Sequence, residues 1–283
     1  MPAVDDPLLV LGATSLIGRF LLPRLDAAGT PHLALSRRCT GAGWVQADLD
    51  RLDPAALPRA SRVLSLSPIW LLPAALPAFQ DTGLKRLVAF SSTSRFTKTD
   101  SPDPAERAVA RRLADAEAAV IAFCEAHVVR WTILRPTLIY AEGQDGNVSR
   151  LAALIRRFGL LPLYGRGEGR RQPVHADDLA AGALAALDSS SAADRAFDLP
   201  GGETLTYRAM CERIFAGLNR RPRILSLPPP LWRAAFALAA PLLPDAGAAM
   251  GARMAEDLVF DPAPARAAIG WSPRPFHPRF IEG

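Results

Sequence analysis

Lysine is nearly absent from this 283-residue chain. Only Lys85 and Lys98 occur, so arginine supplies 31 of the 33 basic residues. The arginines are scattered among 28 acidic residues and leave a formal net charge of +5. That pattern fits an Arg- and Ala-biased composition and argues against a nucleic-acid-binding surface. Cysteine is scarce too. Cys39, Cys124 and Cys211 are odd in number and lack metal-ligand spacing, which excludes a disulfide scaffold and gives no metal site. Tyrosine occurs three times and never before Tyr140. No apolar run has the length of a bilayer span: Ala234 to Leu243 follows Arg233 and contains Pro241. The opening MPAVDDP is acidic and lacks the basic-then-apolar order of a signal peptide, so a cytoplasmic location is expected.

What remains is an ordinary globular composition, 49% hydrophobic and 22% charged, with no internal repeat. Its strongest signal is Leu8 to Leu22, LLVLGATSLIGRFLL. Four apolar residues read as a buried parallel strand, Gly12 opens a tight turn, and Ile17, Phe20 and Leu21 begin an amphipathic helix. Gly12 and Gly18 take the first and third positions of a G-x-x-G-x-x-G turn, with Ser15 between. A small residue there lets backbone N–H groups face a pyrophosphate at a helix N-terminus, so Gly12, Thr14, Ser15, Leu16, Ile17 and Gly18 are expected to hold a dinucleotide. A purely structural strand–helix turn would use the same residues.

Pro31 to Leu35 reads as the second strand, and Ser36-Arg37-Arg38 follows it. An NAD site expects an acidic residue near this strand end. Two arginines stand there instead, suited to a 2′-phosphate, so NADP is expected ahead of NAD. Two solvated surface arginines are the plainer alternative. Gly43 to Gln46 reads as the third strand; Asp48, followed by Leu49, would accept from an adenine amino group or cap a helix. Arg62 to Leu66, a helix over Pro68 to Gln80, and the strand Arg86 to Ser91 continue the alternation. The expected fold is α/β, a Rossmann-type doubly wound parallel sheet with a smaller C-terminal substrate domain.

Several blocks in one order resemble the extended short-chain dehydrogenases/reductases of the NAD-dependent epimerase/dehydratase family. They are the Gly12 turn, the Asp48 block, FSSTS at 90–94, LRPTLIY at 134–140, QPVHADDLAA from 172, FDLPGGETLTY at 197–207 and IGWSPRPF at 269–276. The resemblance implies a dinucleotide-binding domain over 1–145, with elements near 172–188 returning to it, and a mainly substrate-binding domain over 146–283. It adds Ser91, Pro136 and Thr137 to the cofactor surface. It also implies an oxidoreductase or epimerase acting on a sugar-nucleotide-like or other small polar substrate.

One departure stands against it. The family's chemistry uses a Tyr-x-x-x-Lys pair on the helix after the fifth strand, with a Ser or Thr at that strand's end. Thr93 fits the hydroxyl position. Registering Glu117 on the acid that often follows the pair puts Val109 at the tyrosine and Leu113 at the lysine, with core-facing helical spacing. Arg111, Arg112 and Lys98 read as solvated. Two readings follow: an atypical enzyme using Thr93 and Tyr140, or a non-catalytic NADP-binding module with a structural, sensing or partner-binding role. Asn147 reads as the cap of a helix to Phe158, and His175 as structural. Asp177 and Asp178 read as caps that tie the domains. Arg150, Arg156 and Arg157 face an anionic substrate or water. An apolar helix over 231–240 reads as part of the substrate-domain wall or a packing surface, with a homodimer or a peripheral membrane or partner contact as the alternative.

Overall fold

The computed structural model describes residues 6–232, 234, 251 and 253–280. Its centre is a parallel sheet of seven strands: β1 (Leu8–Leu11), β2 (His32–Ser36), β3 (Trp44–Gln46), β4 (Arg62–Ser65), β5 (Arg86–Phe90), β6 (Arg130–Pro136) and, much later in the chain, β11 (Arg195–Leu199). The spatial order is β11-β6-β5-β4-β1-β2-β3. The sequence reverses direction across the sheet between β1 and β4, and ligands of open α/β sheets bind at such a switch point, beyond the strands' C-terminal ends.

Both faces of the sheet are covered, which is why β1 reads as a continuous apolar run rather than an alternation. Leu8 and Val10 pack with α1 (Gly18–Ala27), α6 (Ala176–Asp188) and α8 (Ala263–Ile269). Leu9 and Leu11 pack on the other side with α2 (Leu72–Ala75) and α4 (Pro104–Ala126). Full burial of one such side chain contributes roughly 1.5–3 kcal/mol. The expected helix over 68–80 is instead broken into a 3-10 turn (Ile69–Leu71), α2 and a 3-10 stretch (Leu76–Thr82). Pro73 and Pro77 interrupt it, each removing a backbone donor.

The smaller apolar core is built from α5 (Val148–Phe158), α7 (Tyr207–Gly217), and the parallel pair β8 (Leu161–Tyr164) and β13 (Ile224–Leu227), with Phe276 and Phe280 packed in. Between them the chain makes β7 (Ile139–Tyr140), β9 (Arg170–Arg171), β10 (Val174–His175) and β12 (Leu205–Thr206). The return to the large sheet runs beyond the expected 172–188, because β11 pairs with β6 through Leu199. Of the apolar helix expected over 231–240, only Leu231, Trp232 and Ala234 lie within the described residues. No helix among the described residues is long and apolar enough to cross a membrane.

Candidate functional site

All seven strands run the same way, so the turns after them share one edge of the sheet. That edge collects the Gly12 turn after β1, Ser36 to Arg38 after β2, Asp48 after β3, Ser67 after β4, Ser91 to Thr93 after β5 and Pro136-Thr137 at the end of β6.

The Gly12 turn is fixed by backbone geometry. Gly12 has φ +66°, and a Cβ on it would stand 2.6 Å from Ser67 Oγ and 2.7 Å from Ser67 N. A Cβ on Gly18 would meet the Ala13 carbonyl oxygen at 2.0 Å. Ser15 N–H donates to the Gly12 carbonyl at 2.9 Å, and Ser15 Oγ accepts from Gly18 N–H at 3.2 Å. The first N–H groups of α1 are engaged within the turn: Gly18 by Ser15 Oγ, Arg19 by the Ser15 carbonyl and Phe20 by the Ile17 carbonyl. Thr14 is exposed, and Ser15 and Leu16 are half-buried, so the turn is open to a ligand while Ile17 is anchored in the core. A tight strand–helix turn that is open at Thr14 to Leu16, with a glycine that admits close approach, fits a pyrophosphate. Ser67 was not legible as part of this cradle; only the strand order brings it opposite Gly12.

Arg37 and Arg38 are exposed, with Arg38 N–H donating to Ser36 Oγ at 3.3 Å and Gln46 Nε2 donating to the Arg37 carbonyl at 3.1 Å. These bonds order the backbone of the turn that carries both arginines. Asp48 accepts from Asp50 N–H at 3.2 Å and caps a 3-10 turn, Leu49–Arg51. Leu49 is buried in the core layer. Thr137 donates its hydroxyl to the Gln172 carbonyl, tying the end of β6 to the returning segment.

The two candidate proton carriers lie in different surroundings. Thr93 is 6% exposed, and its hydroxyl donates to the Pro136 carbonyl at 3.1 Å. Tyr140 is 1% exposed within the smaller core, edge-on to His175 at 5.0 Å and Phe276 at 4.9 Å. Burial, and then the nearby Glu142 charge, push its phenol well above the ordinary tyrosine range. A phenol so disfavoured as an anion is a poor general base.

On α4, Val109 and Leu113 both pack toward the core. One turn further on, the fully buried Glu117 takes hydrogen bonds from Ser91 Oγ at 2.5 Å and from Arg135 at 2.6 Å, with Arg95 as a further ion-pair partner. The Arg95 and Arg135 guanidinium groups sit 5.2 and 5.1 Å from the Phe96 ring centroid. Arg135 also approaches Asp198 at 3.7 Å. Ser91 is thus engaged with a carboxylate. The sequence signal for this cluster is a lone acid at position 117 among core-facing positions of α4.

The loop 141–147 is pinned over the start of α1. Gln144 accepts from Arg19 at 3.1 Å. Asp145, rather than Asn147, organises the entry to α5: it accepts from Asn147 N–H at 2.7 Å and from Ser149 Oγ at 2.5 Å. Asn147 donates instead to the Ile139 carbonyl, so the expected side-chain cap is replaced by an Asp two residues earlier. His175 Nδ1 accepts from Asp177 N–H at 3.0 Å and caps α6, which puts the neutral ring's proton on Nε2, facing Glu142 at 3.2 Å. Burial alone would raise the Glu142 carboxyl, but hydrogen bonds from His175 and the Arg279 backbone hold it below the ordinary range. Asp177 and Asp178 do join distant segments, through Arg24 of α1 and Arg274.

The description of the matching family model is "NAD dependent epimerase/dehydratase family", and it covers residues 71–199. Over those residues the chain is similar to that family. A curated relative, NADH dehydrogenase [ubiquinone] 1 alpha subcomplex subunit 9, mitochondrial, of Arabidopsis thaliana, is 33% identical over 169 residues, 59% of this chain. The match spans 38% of that relative's length, and 50% of a further one, an uncharacterized protein of Sinorhizobium fredii, at 27% identity. In fold the chain is similar to UDP-glucose 4-epimerase of Thermotoga maritima with UDP-glucose, with TM-score 0.70 and 15% identity over 95% of this chain and 94% of that one. It is likewise similar to UDP-glucuronic acid 4-epimerase of Bacillus cereus in complex with UDP-glucuronic acid and NAD, with TM-score 0.71 and 14% identity over 95% of each.

Proposed function

We propose that this protein belongs to the epimerase/dehydratase family, binds a nicotinamide dinucleotide, preferentially NADP(H), and serves as a cofactor-binding module lacking the Tyr-x-x-x-Lys proton relay. The observation that carries the reading is the contrast between an open Gly12 cradle and a core leucine, Leu113, at the lysine register. Gly12, Thr14, Ser15, Leu16, Ile17 and Gly18 would hold the pyrophosphate through backbone N–H groups. Arg37 and Arg38 would clamp the 2′-phosphate, with Ser36 ordering their turn. Pro136 and Thr137 would border the nicotinamide end. Asp48, already engaged as a cap, would contribute at most one remaining carboxylate oxygen to adenine. When bound, the cofactor supplies a hydride donor or acceptor.

The named Arabidopsis relative, a subunit of an NADH dehydrogenase subcomplex, favours a role within or beside an assembly. The absence of disulfides among Cys39, Cys124 and Cys211 is compatible with a reducing, cytoplasmic compartment. Burial raises the Cys124 thiol to about 12, so it is not a nucleophile.

A second reading keeps an oxidoreductase or epimerase acting on a sugar-nucleotide-like or other small polar substrate. The near-complete coverage of two-domain epimerases supports it. There Thr93 would orient the substrate, and Tyr140 would need to leave its packed site. The test is calorimetric titration with NADPH and NADH of wild type and the Arg37→Ala/Arg38→Ala double variant, followed by a substrate screen. NADPH affinity is expected to fall at least about ten-fold in the double variant, roughly the value of one or two charge-assisted contacts, with NADH little changed. No hydride transfer is expected on sugar nucleotides. Failure of both cofactors to bind wild type overturns the proposal; turnover that Thr93→Ala abolishes selects the second reading.

A further inference from the structure

The corner of the smaller domain formed by the end of α5, β8 and β13 differs in composition from the rest of the chain. Residues 146–167 contain four arginines and residues 213–244 contain five, and neither stretch contains an aspartate or glutamate. Elsewhere acids are interspersed with arginines. The fold brings these two stretches together: β8 and β13 pair in parallel, with Pro162 opposite Leu225, and Leu161 N–H donates to the Arg223 carbonyl at 2.9 Å. Arg220 donates to the Ile155 and Arg156 carbonyls at 3.0 and 3.2 Å, closing the C-terminus of α5.

On this corner Phe158, Leu160, Leu225 and Leu231 are each between 44% and 58% exposed, four of the seven large apolar side chains exposed among the described residues. Arg156, Arg157, Arg221 and Arg223 are exposed around them, and none has a carboxylate partner among the described residues. Arg157 lies 5.2 Å from the Phe158 ring centroid, so the strongest apolar candidate is itself flanked by a cation. Capping of α5 accounts for Arg220, Arg156 lies 5.6 Å from the Phe280 ring centroid, and Arg156 and Arg157 occupy the last turn of α5, which leaves Arg221 and Arg223 unexplained by the fold.

We infer that this corner is a peripheral docking surface for an anionic phospholipid bilayer. A bilayer surface satisfies both halves of the pattern at once. Phenylalanine and leucine enter the acyl boundary, and guanidinium groups sit at the phosphate level, where planar forks pair with phosphate oxygens. Nucleic acid would engage the arginines and leave four large apolar side chains in water. Insertion would be shallow, since no described helix can span. The inference stands independently of the dinucleotide reading.

The test is flotation of the full chain with phosphatidylcholine vesicles, with and without phosphatidylglycerol, over a range of salt. Binding is expected only to the phosphatidylglycerol vesicles, weakening as salt shortens the screening length from about 10 Å at 0.1 M. Arg156→Glu/Arg157→Glu should lower partitioning at least about ten-fold, since each arginine near an anionic surface is worth roughly five-fold. Phe158→Ser/Leu160→Ser should lower it as well. Both pairs should remain folded by circular dichroism and keep the wild-type NADPH affinity. Equal binding to both vesicle types, no binding at low salt, or binding unaffected by either pair would overturn the inference. So would a stable dimer that Phe158→Ser/Leu160→Ser dissociates, or a preference for duplex DNA over vesicles.

Discussion

The turn after β1 and the helix after β5 face the same edge of the sheet, yet they have kept different things. At the Gly12 turn the groups proposed to bind are backbone N–H, and the side chains only have to be small: Gly12 for its positive φ and its approach to Ser67, Gly18 for its contact with Ala13. On α4 the chemistry of the family depends on side-chain identity, and here the corresponding register holds Val109 and Leu113 against the core. The nearest charged group on that face, Glu117, is consumed by Ser91, Arg95 and Arg135. A backbone-built site survives as long as the fold does, because folding itself demands the residues that build it. A side-chain relay has no such protection. Once it is lost, its positions are free to be filled by packing and by ion pairs that lock the ends of β5 and β6.

The comparison is broken most strongly by removing Glu117. Glu117→Ala leaves Arg95 and Arg135 without their shared counter-charge, and the expected loss of stability in urea unfolding is about 3–5 kcal/mol. The Kd for NADPH should change far less than the stability, since of these groups only Ser91 is expected on the cofactor surface and none lies in the Gly12 turn. A loss below about 1 kcal/mol would mean that the cluster holds nothing together.

A smaller effect concerns the link between the cradle helix and the smaller domain. Burial would raise the Asp177 carboxyl, but hydrogen bonds from Arg24 and Arg274 outweigh it and hold its pKa below the ordinary range. A depressed carboxylate contributes stability above the unfolded-state pKa of about 4, and loses it as pH falls through the lower folded value. Asp177→Asn should therefore cost about 1 kcal/mol at neutral pH, and the difference from wild type should shrink as the acid limb is descended. A pH-independent difference would assign the effect to packing or to the α6 start instead.

Legibility in the sequence follows the same division. β1, Gly12 and α1 could be read directly, because a buried parallel strand and a tight strand–helix turn each restrict residue type locally. The helix over 68–80 was misread because its apolar spacing outweighed Pro73 and Pro77. Asn147 was read as a cap by position, whereas Asp145 does that work from two residues upstream. The role of Ser67 and the Glu117 cluster were not legible. Their partners come from separate strands and helices, and only the strand order makes them neighbours. β11 was equally hidden, since nothing local distinguishes an edge strand that returns to a sheet 60 residues away from one that begins a new domain.

The most direct test of a backbone-built cradle is the NADPH Kd of Gly12→Val against wild type. Gly29→Ala serves as control, because Gly29 also has a positive φ (+60°) but has no neighbour within 4 Å of an added Cβ. The account predicts that Gly12→Val weakens NADPH at least about 100-fold while the control binds like wild type, both variants remaining folded by circular dichroism. Wild-type affinity in a folded Gly12→Val protein would contradict it.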